Sequence, residues 1–538
     1  MLRRSFRAVP ALHSARAAFV LAGALCVAAS LASPASSAPA KPRVAKTPAP
    51  AALRTGLESL EKQVQEFTLA NGLKFIVVER HQAPVFSFMT MVDAGSSNDQ
   101  IGTTGLAHMM EHMAFKGTPR IGTKDYAKEK PLLDSEETAW NHLLDEQRRG
   151  ARADTTKLKS LRGAFQSAQE AAYTQVVSNE FSKWVEQAGG QNMNAFTSDD
   201  VTAYFYSMPS NRLELWSLLE GSRMAHPVFR EFYKERDVVY EERRMNYESS
   251  PIGRLILEFT NTAFTAHPYG FGGIGFPSDL KTFSRTQGEE YFNRHYVAKN
   301  MVVSIVGDAT AADVRRYANQ YFADLSNAPK PPPVDTVEPE QHAERRVTLE
   351  DPGQPLVMIG WHVPAVSDPH YPMYEALADL LAGGDYSRLV KTLVKEKKIA
   401  TRIDAGPGFP GQKYPSLFVL FVVPAAGQDP VKVEQEVYAA LDGIRAKPFT
   451  AEELAGYKVR VKAQKISSVE SNSDLASSLV TAQTLNGDWR EFFREQERVQ
   501  ALTPDAVMDA MNSAFVKSNR TVGMIVNQDT PTANEGGK

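Results

Sequence analysis

Short apolar runs and longer amphipathic stretches alternate along the chain. Apolar runs such as residues 75–78 and 356–361 indicate buried strands, and stretches with apolar residues three or four positions apart indicate helices. Both kinds of segment lie on either side of a proline-rich run at 326–335, which predicts an extended linker. The pattern therefore predicts an α+β protein of two domains, each a mostly antiparallel sheet with helices packed on one face.

The two sides of this linker carry a repeated pattern. Residues 296–300 (YVAKN) precede the apolar run 302–306, and residues 515–519 (FVKSN) precede the apolar run 522–526. Each pattern predicts a helix end, an asparagine turn and a buried strand, so the two domains are expected to be homologous. The predicted segments are a first domain at 58–325, a linker at 326–345, a second domain at 346–530 and a tail at 531–538.

The N-terminus has the composition of an export signal. Four arginines lie within the first sixteen residues, an apolar run follows at 17–32, and Ser36-Ser37-Ala38 offers a cleavage site. A signal peptide is predicted at 1–38, followed by an alanine- and proline-rich flexible leader at 39–57. The mature chain is therefore expected to be exported to a bacterial periplasm.

Charge and cysteine content narrow the possible partners. Removal of the four arginines with the signal changes the formal net charge from −3 to −7, and no basic run follows. Nucleic acid and anionic membranes are therefore not expected as main partners. The only cysteine, Cys26, lies in the signal, so the mature chain has neither disulfides nor thiolate metal ligands. It also has no apolar run of the ~20 residues that would span a bilayer.

The candidate chemistry lies in residues 105–115 (GLAHMMEHMAF). His108 and His112 are four residues apart, so on a helix they project from one face and can hold one metal ion. Glu111 lies beside them, close enough to take a proton from the attacking water. The order H-x-x-E-H is the inverse of the commoner zinc-hydrolase arrangement and predicts a zinc centre.

The bounds of this helix can be predicted from its flanks. Thr103 or Thr104 is expected to cap its start, and Gly117 with Pro119 to end it.

This motif, together with residues 71–78 (NGLKFIVV) and 93–96 (DAGS), resembles the pitrilysin family of zinc peptidases, which includes insulin-degrading enzyme and the mitochondrial processing peptidase. The resemblance extends from about residue 64 to residue 526. It implies a zinc-dependent endopeptidase with one Zn²⁺ per chain and with Glu111 as the catalytic base. Peptides or unfolded polypeptides would be hydrolysed in a closed chamber between halves or subunits.

The resemblance also implies a third zinc ligand. Family members take it from a glutamate that lies seven residues after another glutamate, a spacing matched here by Glu235 and Glu242. Helical periodicity places both on one face with Val238 and Met245, whereas Glu241 lies about 100° away. Glu242 is therefore the predicted ligand, and Glu235 is predicted to orient a ligand by hydrogen bonding.

One departure from the family is the distance between the ligands. His112 and Glu242 are 130 residues apart, and the surplus falls at about 125–184. This stretch is rich in Lys, Glu, Gln and Ala, with Leu and Trp at helical intervals. It predicts a solvated, helical structural insertion, with a partner surface or a lid as alternatives.

Substrate contacts are implied by a further match. Asn194, Ala195 and Phe196 resemble the edge strand that family members place beside the zinc. An exposed strand edge can pair its backbone with an extended peptide. The alternative is an ordinary edge strand with a polar end.

The second half departs from the family at two positions. Two-domain relatives carry an arginine and, seven residues later, a tyrosine that position substrate, and Val394 and Thr401 align there. The helix at 374–381, equivalent to the zinc helix, has no histidine, so this half is predicted to be metal-free. A heterodimer with a homologous subunit bearing the arginine and tyrosine is expected. A homodimer that uses Arg388 or Arg402 is the alternative.

The family also contains members without activity. A structural pseudo-peptidase subunit, or a chaperone-like module that only binds zinc, is the alternative function. The presence of His108, Glu111, His112 and Glu242 together favours the enzyme, because a structural subunit has no need of all four.

Overall fold

The computed structural model of the protein describes residues 50–527. The predicted signal peptide, the leader up to residue 49 and the C-terminal tail lie outside the described residues. Helix α1 (Pro50–Gln63) covers the rest of the predicted leader, so the prediction of a flexible segment is wrong for residues 50–57. Leu57 and Leu60 account for this, because both are buried in a cluster with Phe492 and Phe493.

The first half is built on a six-stranded sheet. Its strands are β1 (Val64–Thr68), β2 (Lys74–Glu79), β3 (Val85–Val92), β4 (Gln191–Thr197), β5 (Thr202–Pro209) and β6 (Met301–Gly307). Their order is β1-β2-β6-β3-β5-β4, and β2 is parallel to β6 while the other neighbours are antiparallel. Strand β4 therefore lies at an edge of the sheet.

The second half repeats this topology with five strands. They are β7 (Arg345–Glu350), β8 (Leu356–Val363), β9 (Ala400–Phe409), β10 (Ser416–Pro424) and β11 (Arg520–Val526), in the order β7-β11-β8-β10-β9. Again one pair, β7 with β11, is parallel and the rest are antiparallel. From β2 onward the two sheets correspond strand for strand, which confirms the predicted α+β class.

The repeated asparagines occupy equivalent positions. Asn300 Nδ2 donates to the carbonyl oxygens of His295 and Asp93, at 2.9 and 3.2 Å. Asn519 Nδ2 donates to those of Ala514 and His362, at 2.9 and 3.0 Å. In each half the amide thus joins a helix end, five residues back, to the end of a neighbouring strand.

The described residues also form these further α-helices in the first half: α2 (Leu106–Met113), α3 (Tyr126–Gln147), α4 (Thr155–Tyr173), α5 (Glu180–Gln187), α6 (Leu213–Ala225), α7 (Phe232–Arg243), α8 (Pro251–Ala263), α9 (Pro277–Leu280), α10 (Arg285–His295) and α11 (Ala311–Tyr321). Those of the second half are α12 (Tyr371–Ala382), α13 (Pro430–Ala446), α14 (Ala451–Glu470), α15 (Asn472–Asn486), α16 (Glu491–Ala501) and α17 (Pro504–Ala514). Residues 326–344, within the predicted linker, form neither helix nor strand. Among the described residues, no helix combines the length and apolar composition needed to cross a bilayer.

Each sheet packs its own helices on one face and receives a helix from the other half on the second face. Phe75 and Val77 face the first half's helices, whereas Ile76 and Val78 pack against α15. In return, α8 packs on the second sheet, where Phe259 lies over two glycines. A Cβ atom at Gly360 or Gly523 would lie 2.7 or 2.9 Å from that ring. Helices therefore cover both faces of each sheet. The prediction of helices on one face holds for the helices of the same half, and the other face is covered by a helix of the other half.

Candidate metal centre

Helix α2 carries the H-x-x-E-H motif and is capped by Asp99, six residues before Gly105. The buried Asp99 carboxylate accepts hydrogen bonds from the backbone N–H groups of Gly105 and Ala107, at 2.7 and 3.0 Å. Gly105 begins the helix with φ 98°, and a Cβ there would lie 2.5 Å from the Ile274 carbonyl oxygen. Two N-terminal amides of α2 are thus satisfied by the Asp99 carboxyl group, whose pKa is raised by burial to about 8.

The predicted threonine cap is therefore wrong. Thr104 is buried and donates its hydroxyl to Asp279 Oδ2 at 2.7 Å, so it ties α2 to the start of a later helix instead. The helix ends at Met113, before Gly117 and Pro119.

The structure brings His108, His112 and Glu242 together. The two Nε2 atoms are 3.3 Å apart, and Glu242 Oε2 lies 3.8 Å from that of His108 and 3.6 Å from that of His112. One ligand atom from each residue lies within 4.8 Å of the others. Helix α7 provides Glu242, while the neighbouring Glu241 is 54% exposed and pairs with Arg244 at 2.8 Å.

These distances fit a zinc ion. Tetrahedral coordination with bonds of 2.0–2.2 Å places ligand atoms about 3.4 Å apart, and the three observed separations are 3.3, 3.6 and 3.8 Å. The side chain of Glu242 is 38% exposed, whereas those of the histidines are 10% and 20% exposed. The cluster is therefore enclosed on the histidine side and open on the glutamate side, which suits a catalytic rather than a structural site.

The protonation of the histidines also favours a cation. Burial lowers the pKa of His108 to about 4, so its imidazole is neutral and can act as a ligand. Burial lowers the pKa of His112 as well, but the hydrogen bonds that its ring donates to the carboxylates of Glu235 and Glu242 outweigh burial and raise the pKa to about 9. The negative field that favours this proton equally favours a divalent cation.

Glu235 lies behind His112. Its Oε2 is 3.4 Å from His112 Nδ1, and its Oε1 accepts from Lys116 Nζ at 2.5 Å. Burial raises the pKa of Glu235, but the hydrogen bonds from His112 and Lys116 outweigh it and lower the pKa to about 2. In the neutral ring, Nδ1 donates to this carboxylate and Nε2 carries the lone pair that a metal ion requires. Sequence reasoning missed Lys116, although its position one turn after His112 was a usable signal.

Glu111 lies beside the cluster. Its Oε2 is 3.9 Å from His108 Nε2 and accepts a hydrogen bond from the Thr197 hydroxyl at 2.7 Å. Burial raises the pKa of the Glu111 carboxyl. The role of Thr197 was also missed, because nothing local in the sequence links it to a helix 86 residues earlier.

Thr197 ends the edge strand β4, which brings that strand to the centre. Asn194 on this strand is exposed, Phe196 is half-buried and Ala195 is buried. The Asn194 Oδ1 atom accepts from the N–H of Ala195 at 3.0 Å. The predicted substrate-binding residues thus lie on the outermost strand of the sheet, within three residues of the one that holds Glu111.

The four second-half residues discussed as substrate-positioning candidates or their replacements contact other residues of the second half. Val394 is half-buried against the second core, and the Thr401 hydroxyl donates to the Val423 carbonyl at 3.3 Å. Arg388 donates to Glu453 at 2.5 and 2.8 Å, and Arg402 pairs with an adjacent aspartate. These hydrogen bonds of Arg388, Thr401 and Arg402 all lie within the second half.

Comparison with known proteins adds family matches. The model described as Insulinase (Peptidase family M16) matches residues 74–132, and that described as Peptidase M16 inactive domain matches residues 282–460. The first range contains the H-x-x-E-H motif, and the second contains none of the candidate ligands.

Individual relatives agree with these matches. The chain is 29% identical over 422 residues to the zinc protease PqqE of Helicobacter pylori, covering 77% of this chain and 81% of that one. It is similar to the crystal structure of a protease from Helicobacter pylori, with a TM-score of 0.72, 25% identity, and coverage of 86% and 99%. It is also 24% identical over 268 residues to a probable mitochondrial-processing peptidase subunit beta of Arabidopsis thaliana, covering 49% of this chain and 39% of that one.

Proposed function

Because the chain belongs to the insulinase family of peptidases (M16), we propose that it is a zinc-dependent endopeptidase that hydrolyses peptides or unfolded polypeptides. The observation that carries the proposal is the convergence of His108, His112 and Glu242 within 4.8 Å. Glu111 lies beside them with a pKa raised by burial.

Each side chain has a distinct part in this proposal. Zinc held by His108, His112 and Glu242 would lower the pKa of a water molecule to about 7 and polarise the scissile carbonyl. Glu111 takes the proton of the attacking water and passes it to the leaving nitrogen, for which a raised carboxyl pKa is suited. Thr197 holds one oxygen of Glu111 in place by its hydrogen bond.

Strand β4 is the proposed substrate platform. An extended peptide would add to its free edge by backbone hydrogen bonds along Asn194, Ala195 and Phe196, so affinity would depend little on side chains. Thr197 at the end of this strand then sets the distance between the paired peptide and Glu111.

A partner subunit belongs to the proposal. Val394 has no hydrogen-bond donor, and the short hydroxyl of Thr401 is directed to a carbonyl of its own sheet. A homologous subunit carrying an arginine and a tyrosine would supply donors for the developing oxyanion in a shared chamber. The plant relative is itself named as a subunit.

We further propose export to the periplasm, from the arginine-rich and apolar pattern at the N-terminus.

Peptide digestion tests this function. The purified chain is incubated with quenched fluorescent peptides, with and without a chelator, alone and with arginine/tyrosine-bearing relatives, and Glu111→Gln serves as the matched control. Zinc-dependent cleavage that is lost in Glu111→Gln is expected. Zinc binding without cleavage under every condition would instead favour the alternative, a non-catalytic or chaperone-like subunit.

A further inference from the structure

A groove of about 600 Å³ lies between the helical segment at 125–184 and the helix that carries Glu242. Its walls include Gln169 and Tyr173 from α4, and Val238, Glu242 and Met245 from α7 and the π-helical turn that follows it (Arg244–Glu248). A volume of this size is within the ~300–1,000 Å³ range of ligand pockets. Because Glu242 is both a candidate metal ligand and a groove wall, the groove borders the metal centre at this residue.

The helical segment is fixed firmly against α7 and its preceding turn. Arg230 Nε donates to Glu129 Oε1 at 2.8 Å, and both side chains are buried. Glu137 accepts the Tyr233 hydroxyl at 2.5 Å. The sequence had predicted a solvated insertion, and this is wrong for the inner face of α3, where Glu129 and Glu137 are buried. Phe165 of α4 packs edge-on against Tyr233 of α7 with ring centroids 5.2 Å apart, so the helix that forms the second wall is also packed against α7.

The groove wall combines polar and charged side chains with three largely apolar ones, Tyr173, Val238 and Met245. Val238 is 45% exposed and Met245 is 67% exposed, and they lie on the same face as Glu242, one turn to either side. Exposed apolar residues beside a functional centre are typical of a recognition surface, whereas scattered ones carry no such meaning.

The charged side chains of the groove wall have partners, including Asp237, which lies 3.5 Å from Arg236. Lys234 donates to Glu231 at 2.6 Å, and Glu241 pairs with Arg244 at 2.8 Å. A charged ligand would gain little from them, whereas an apolar one would bury Val238 and Met245.

We propose that this groove receives large apolar side chains of the peptide substrate, next to the bond that is cleaved, and so sets a preference for aliphatic or aromatic residues. The proposal rests on the proposed function, since it takes the occupant to be the substrate. The helical segment would then act as a specificity element, with Val238 and Met245 as the contacting residues.

Binding measurements test it without turnover. In the Glu111→Gln background, fluorescence anisotropy is measured for two peptides of equal length that carry either phenylalanine or glutamine at alternate positions. The groove variant is Val238→Asn/Met245→Gln, which leaves the charge at the metal centre unchanged. The matched control is Val337→Gln/Val459→Asn, because these two valines are 79% and 63% exposed and lie outside the groove.

The groove variant should weaken binding of the phenylalanine peptide by at least about tenfold, with the glutamine peptide and the control unaffected and zinc content unchanged. Equal affinity for both peptides, or an unaltered phenylalanine peptide in the groove variant, would overturn the proposal. The catalytic proposal fails separately, if the zinc-loaded chain with Glu111 cleaves neither peptide, alone or with arginine/tyrosine-bearing relatives. In that case the anisotropy measurement still tests whether the groove binds apolar side chains.

Discussion

The Glu242 carboxylate oxygen Oε2 lies 3.6 Å from His112 Nε2, although 130 residues separate the two in the chain. With His108 they form the candidate ligand set, so removal of one member should release the metal. His108→Ala and Glu242→Gln are expected to lose most bound zinc, measured by mass spectrometry of the purified protein. Glu186→Gln, an exposed glutamate on α5, is the control and should retain it. Full retention in both ligand variants would show that the ion is held elsewhere.

Glu111 should matter for turnover but not for zinc. Glu111→Gln keeps the size of the side chain and its contact with Thr197, and removes only the basic oxygen. We expect normal zinc content and peptide hydrolysis reduced by ~10²–10⁴-fold, as for loss of a general base. A variant that cleaves at the wild-type rate would mean that the water is activated by another group.

Glu235 should act through His112. Removing the carboxylate that orients a ligating histidine typically costs 10–100-fold in metal affinity, so Glu235→Gln should bind zinc about that much more weakly in a competition assay with a chelating dye. The same assay on Glu186→Gln should give the wild-type affinity. If Glu235→Gln and Glu186→Gln bind zinc with equal affinity, the 3.4 Å contact of Glu235 with His112 has no orienting effect.

Local periodicity explains which parts of this centre could be predicted. His108, His112, Glu235 and Glu242 follow from helical spacing and family resemblance, and the structure brings all four together. Asp99 lies six residues before Gly105, outside the N-cap position that a capping pattern covers, and the Thr197 contact joins residues 86 apart, so neither follows from helical spacing.

The same distinction holds for the fold. The asparagine repeat predicted two related domains, and the topologies agree. Nothing in the sequence pattern indicated that α8 and α15 would each cross to the other half's sheet, because an amphipathic helix carries no record of which sheet it covers. The burial of Glu129 in α3 was missed for a similar reason, since its partner Arg230 is 101 residues away.

This buried pair should contribute strongly to stability. Glu129 is 0% exposed and Arg230 is 1% exposed, so Glu129→Gln leaves a buried guanidinium without its counter-charge. Breaking such a pair typically costs about 3–5 kcal/mol, and a lower denaturation midpoint is expected in chemical unfolding. Glu170→Gln, exposed on α4, should leave the midpoint unchanged. Equal midpoints for the two variants would show that the pair is not stabilising.

Activity of the isolated chain should be low. Val394 and Thr401 stand where the family resemblance implies an arginine and a tyrosine, and loss of one oxyanion donor costs about 2.7–4 kcal/mol or roughly 10²–10³ in rate. Co-expression with an arginine/tyrosine-bearing relative should yield a heterodimer with correspondingly higher kcat/KM. Full activity alone, with no gain from such a relative, would exclude a split site and favour donors such as Arg402.

A zinc titration combined with peptide hydrolysis tests the central claim most directly. Zinc is removed from the chain, with its partner subunit if one is required, and returned in measured steps while cleavage and bound metal are followed together. We expect cleavage to rise in proportion to bound zinc and to stop rising at one zinc per chain, with Glu111→Gln binding the same amount without cleavage. Cleavage that persists in the metal-free chain, or zinc bound to full occupancy by a His108→Ala/His112→Ala chain, would contradict the account.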